Sequence, residues 1–204
     1  MTRRLAIAAA FIALSVVPAL AQAPPAGTPT PIRGTVEKLD GQNLTVKSRE
    51  GPLVTIALAA NFTVRAVVKK SLADIKTGDY VGAASLKGND GKLRALEVLI
   101  FPEAMRGAGE GERPWDLLPD SLMTNAAVAG TAAAPAGQIL KLSYKGGQSE
   151  VVVTPAVPVV TFGPGDASLL KRGATVIVFA MKNPDGSLTA PGVTAEKDGV
   201  KPPM

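Results

Sequence analysis

Two aspartates, Asp90 and Asp185, occupy the same place in two copies of one phrase, NDGKLRALEV at 89–98 and PDGSLTAPGV at 184–193. A duplicated chain can bring one carboxylate from each copy to a shared site, where a close pair would do acid–base hydrolysis. The surroundings favour a plainer role. Neither aspartate sits in the D-T-G or D-S-G setting of a duplicated aspartic protease. Each precedes the glycine of a polar hairpin, where an aspartate side chain closes the turn on its own backbone. Turn residues are therefore the expectation for both.

Other chemistries meet a poorer supply of groups. The chain has no histidine and no cysteine, which removes the usual transition-metal ligands, the commonest general base, thiolate nucleophiles and disulfides. Without histidine a serine nucleophile needs a lysine partner, and no such site is expected. No cofactor is expected, and the chain is not expected to be an enzyme.

Between the two copies lies FPEAMRGAGEGERPWDLLPDSLMTNAAV, which the repeat does not contain. Its GAGEG lacks the lysine and hydroxyl of a phosphate loop, so a linker is expected there. Glu103, Glu110, Glu112, Asp116 and Asp120 could offer oxygens to a hard cation. Their spacing fits no calcium loop, and Arg106 and Arg113 offset their charge, which favours a solvated surface over a metal site. Trp115, the only tryptophan, together with Leu117, Leu118, Leu122 and Met123 carries more apolar bulk than a free linker tolerates. These five residues are the candidate partner contact. They form either a plug between two barrels or an exposed anchor for an envelope protein or a second copy of the chain. Nucleic-acid binding would need aromatic platforms and a basic groove, but Phe62, Tyr80, Phe101, Phe162 and Phe179 are scattered along the chain and Lys69-Lys70 is an isolated pair. No nucleic-acid partner is expected.

The elements that must carry these residues follow from a duplication. With an offset of 95, Ile56 and Leu58 fall on Val151 and Val153, Gly78 on Gly173, and Asp90-Gly91 on Asp185-Gly186. A one-residue gap near Asn43 extends the match to the pairs Gly34-Thr35 and Gly130-Thr131. The second copy would then open on an eroded AGTAAAPAG. Within a copy, short spans alternate apolar and polar residues between turn residues, as half-buried strands do. The spans are IRGTVEKL, NLTVKS, LVTIAL, YVGAASLK and KLRALEVLIF. Between the third and fourth, SLADIKTGD reads as a short helix with Ser71 as its cap, Asp74 near its positive end and Gly78 ending it. Asp166 takes the place of Ser71 in the second copy.

Three strands, a short helix and two strands is the order of a small OB-like barrel. The predicted fold is all-β, two tandem small OB-like barrels with a short helix in each, preceded by a signal peptide. MTRRLAIAAAFIALSVVPALAQ has the basic start, apolar run and small-residue cleavage site of a secretory leader, cut after Ala21. Its apolar run is shorter than the roughly 20 residues a spanning helix needs, and no later stretch approaches that length. A periplasmic or secreted protein without a membrane span in its mature chain is the expectation. The organisation reads as 1–21 signal peptide, 22–31 Pro-rich linker, 32–101 first barrel, 102–127 acidic connector, 128–195 second barrel and 196–204 tail. The connector holds 2 basic and 5 acidic residues, between two mildly basic halves.

IRGTVEKLDGQNLTV, LADIKTGDYVGA and NDGKLRALEV resemble a family of uncharacterised secreted bacterial β-domains, with a G-x-V phrase, a D-G turn and an L-x-x-[IL]-K-x-G-D-x-V phrase. The likeness covers 32–101 well and 128–195 more weakly, since LLKRGATV lacks the aspartate after its glycine. The resemblance implies an OB-like or related barrel and no established activity.

Overall fold

The computed structural model describes residues 27–202, and the expected signal peptide at 1–21 lies outside them. The first copy supplies β1 (Thr28–Asp40), β2 (Asn43–Ser48), β3 (Leu53–Lys70), β4 (Tyr80–Lys87) and β5 (Leu93–Ile100). The connector contributes β6 (Gly111–Pro114). The second copy supplies β7 (Leu122–Ala134), β8 (Gly137–Tyr144), β9 (Gly147–Val153), β10 (Val159–Gly165), β11 (Thr175–Lys182) and β12 (Leu188–Ala195). The protein is all-β, as its alternating pattern implies. Among the described residues no helix is long and apolar enough to cross a membrane.

The pairings do not follow one barrel per copy. A closed five-stranded barrel runs β1–β2–β3–β12–β11 and back to β1, with β3 and β12 parallel and the other neighbours antiparallel. Three of its strands come from the first copy and two from the second. The reciprocal pairings join β7–β8–β9–β5–β4 and return to β7, the parallel β5–β9 contact being confined to Leu93–Val151 and Arg94–Val152. The tandem arrangement expected above is thus replaced by an exchange of the last two strands between copies. The long strand β3 links the two rings. Its 18 residues rise about 3.3 Å each, enough to run out of one ring and alongside the other. Its second half pairs antiparallel with β10, with Val67 opposite Phe162. Those two positions are equivalent in the repeat, so the rings are related by a local two-fold passing between them.

Each ring encloses its own aliphatic core drawn from both copies. Val36, Leu44, Val46 and Ile56 meet Val176 and Val178 in the first. Val81 and Val98 meet Val128, Leu140, Leu142 and Val151 in the second. Fully burying such a side chain contributes roughly 1.5–3 kcal/mol.

The strands also correct the boundaries read from sequence. β1 starts at Thr28, inside the proposed Pro-rich linker, and pairs there with β11 alone. Pro29 and Pro31 fit because a strand end with one free side does not need every N–H. β7 starts at Leu122, inside the proposed connector. A bulge at Glu37 in β1 matches one at Ala129 in β7, so Val36 corresponds to Val128 and Arg33 to Asn125. The match of Gly34-Thr35 with Gly130-Thr131 is out of register, and the second hairpin extends two residues further on each strand. An even-numbered slip preserves alternation, and an alanine run carries no side-chain signal to expose it. The short helices are single 3-10 turns, Leu72–Asp74 and Ala167–Leu169. The first ends at once because Ile75 is already extended and enters the core of the second ring.

Candidate functional site

The outer faces of the two rings meet around a cavity of about 400 Å³, with the connector as its remaining wall. Strand alternation sets what faces it. In β4, Val81 and Ala83 enter the core, which turns Gly82 and Ala84 toward the cavity. The equivalent positions in β11 are Ile177 and Phe179, which line it from the other side. One wall is therefore recessed and the other bulky. A side chain on Gly82 would place its Cβ 2.8 Å from the Asn125 Oδ1 and 3.1 Å from the Phe101 ring, so any larger residue there would have to displace those side chains.

Aromatic residues that are dispersed in sequence converge here. The Phe101 ring stands 5.4 Å from Tyr80 and 6.4 Å from Phe162, and Arg65 lies over Phe162 at 6.0 Å. Such contacts prefer tilted or edge-on rings and a cation on the ring face. Phe101, Phe162 and Phe179 all line the cavity, and Phe179 is 55% exposed.

The connector is fastened to both rings. Trp115 lies between two guanidinium groups, Arg33 at 5.2 Å and Arg113 at 5.5 Å. Arg33 is 1% exposed, and its Nη1 donates to Asp116 at 2.6 Å. Its Nε and Nη2 and the Trp115 indole N–H have no protein partner. Burial lowers the Arg33 pKa, and the adjacent Asp116 carboxylate works against that shift. The backbone N–H of Trp115 donates to the Ser121 carbonyl at 2.7 Å, which closes the loop. At the other end, the Asn125 amide and the Tyr80 hydroxyl both donate to the Ala108 carbonyl. Arg33 and Asn125 are equivalent strand positions, so the connector seals the same place on both rings.

Glu97 is the acid of the site. It lines the cavity and an adjoining cleft of about 920 Å³ that includes Lys69, Lys70, Leu117 and Lys201. It is 8% exposed. Burial pushes its pKa up to about 8, against the pull of Arg33, so it is an uncharged acid at neutral pH. Such a group donates one hydrogen bond to whatever occupies the space beside it.

The candidates from sequence are distributed unevenly. Trp115 and Met123 line the cavity. Leu117 faces the adjoining cleft, and with Leu118, 45% exposed, borders a shallow surface concavity beside Arg49. Leu122 lies in β7 between Ser85 and Pro114. Four of the five connector carboxylates go to separate partners: Glu103 to Arg106, Glu110 to the Lys145 N–H, Glu112 to Thr124 and Ser149, and Asp116 to Arg33, while Asp120 is exposed in the loop. Among the described residues no three acidic side chains converge as metal ligands. Asp90 accepts from the Lys92 N–H and Arg94, and Asp185 from the Ser187 N–H and hydroxyl. Both are turn residues. One serine–lysine spacing does occur, Ser168 to Lys171. Both are exposed on the surface, and Ser168 is held by Asp166, which caps the 3-10 turn by accepting from the Ser168 N–H.

Arg33, Arg65, Glu97 and Arg113 escaped the sequence reading as site residues. Glu97 left a trace. Strict alternation from Leu93 and Ala95 would put it in the core, and the pairing of Ala84 with Glu97 and Ser85 with Ala95 resolves this with a bulge at Leu96. Arg33 left none, because its strand parity points it outward and the distant connector buries it. Comparison with protein-family models, with curated proteins and with solved structures finds no match.

Proposed function

We propose that this chain is an exported, non-catalytic binding module whose ligand lodges between its two rings. The observation that carries this reading is the cavity itself, apolar over most of its wall and bearing a few convergent polar groups, which is the usual make-up of a small-molecule site. Export rests on the leader-like N-terminus and on the resemblance to secreted bacterial β-domains, and the compartment is the periplasm or the exterior. Counted by their place in the repeat, the third and fifth strands of each ring run parallel and the first closes on the fourth, which supports an OB-type barrel, an architecture that serves binding on its outer face and loops. Carboxylate hydrolysis finds no support, since Asp90 and Asp185 are bound into their own hairpins.

The test is thermal unfolding of the protein from residue 22 onward with a panel of small aromatic and aliphatic molecules. A ligand at 100 times its Kd adds about 2.7 kcal/mol. The expected result is a raised midpoint with members of the panel, lost in Ala84→Phe, which puts on β4 the residue that β11 already carries. A midpoint that no compound moves, or a rise that persists in Ala84→Phe, contradicts the reading. A second reading has one observation of its own. Leu118 is exposed beside the concavity of the 115–120 loop, which suits an anchor for an envelope protein or a second copy, and Leu118→Ser would then abolish capture or self-association.

A further inference from the structure

Resting on that reading of the site, the ligand's chemistry follows from the charges around the cavity. Arg65 reaches it from β3 and Arg113 from the connector. Each guanidinium is held in place without a carboxylate partner among the described residues. Arg65 lies on Phe162, and Arg113 lies on Trp115 while donating to the Gly109 carbonyl at 2.7 Å. The one acidic wall residue is Glu97, which burial keeps protonated at neutral pH. The cavity thus faces its occupant with two cations and no fixed anion, in surroundings that are mostly apolar, Leu99, Phe101, Met105, Met123, Phe162 and Ile177 among them, with Asn125 and Thr194 as neutral polar groups.

The repeat supplies an independent argument. The repeat counterpart of Arg65 is Val160 and that of Glu97 is Gly192, while Arg113 lies in the connector that the repeat lacks. A ring of this architecture therefore closes without any of the three.

We propose that the cavity takes a small apolar molecule bearing one negative charge, its anionic group paired with Arg65 and Arg113 and its apolar body against the phenylalanine and methionine wall. A cationic ligand would meet two guanidinium groups without a counter-charge. A neutral one would displace water from them and return no hydrogen bonds of comparable strength.

The experiment uses two fluorescent probes that share one ring system, anilinonaphthalene sulfonate and its uncharged parent N-phenyl-naphthylamine, titrated into the protein from residue 22 onward. The sulfonate is expected to bind saturably and about tenfold tighter than the neutral probe, a gap of about 1.4 kcal/mol. Arg65→Gln with Arg113→Gln should abolish the gap, and Arg65→Lys with Arg113→Lys should keep most of it. The lysine pair guards against a loss of fold in the glutamine pair. Equal affinities for the two probes, both lost in Ala84→Phe, would overturn the charge inference and leave the cavity as a binding site. Binding of both that persists in Ala84→Phe would overturn the site and the inference together. Sulfonate binding unchanged in the glutamine pair would overturn the inference alone.

Discussion

Glu97 keeps its proton because β5 places it against the cavity wall, where water is scarce and the one charge that lowers its pKa, Arg33, only partly offsets burial. The sign of the resulting pH dependence is fixed by linkage. Below its ordinary value near 4.5 the group is protonated in both folded and unfolded chains. Between there and about 8 the folded protein holds a proton that the unfolded chain releases, so stability falls as pH rises through that window and levels off above it. Glu97→Gln removes this loss. In urea unfolding the variant should equal the parent near pH 4 and exceed it by on the order of 3 kcal/mol at pH 8. A difference that does not change with pH would show that Glu97 does not titrate in this way. The residue also shows what alternation can reveal: an acid on the apolar parity of a strand points to a bulge, though not to the cavity that the bulge turns it toward.

At the scale of elements, the connector is bound to the rings it joins. Its apolar bulk around Trp115 was legible in sequence and does serve as a wall, whereas the arginines that hold the indole were not, since Arg33 and Trp115 are far apart in the chain. Asp116 carries this attachment, being the hydrogen-bond acceptor of a guanidinium that is otherwise sealed. Removing one partner of a buried pair costs about 3–5 kcal/mol, but the Asp116 side chain is 41% exposed and water screens it. Asp116→Asn should therefore lower stability by about 1–2 kcal/mol, measured by chemical denaturation, and shift the emission of Trp115 toward that of an exposed indole. An unchanged emission would mean that the Arg33–Asp116 contact does not hold the loop. The hairpins at Asp90 and Asp185 were fully legible, because their hydrogen bonds are local. The register of β7 against β1 was not, because the alanines at 132–134 carry no side-chain signal.

Across the whole molecule, the twofold relation between copies was legible as a repeat, and its consequence was not. Both copies present the same faces to the same neighbours, so no pattern of apolar residues states which copy closes which ring. β3 and its counterpart β9–β10 cross between the rings, and the exchanged strands bring the two rings together around the space between them. Cross-linking tests this claim directly, because the chain has no cysteine of its own. Thr35 lies opposite Thr175 across the β1–β11 pair. The Val36 N–H bonds to the Ala174 carbonyl, which leaves the Thr35–Thr175 pair in the closely spaced, non-hydrogen-bonded position that a disulfide spans. Were each ring built from a single copy, Thr35 would face Tyr80 instead. Oxidation of the monomer should join Thr35→Cys to Thr175→Cys and fail to join Thr35→Cys to Tyr80→Cys. The opposite outcome, a Thr35–Tyr80 link without the Thr35–Thr175 link, would contradict the exchanged rings.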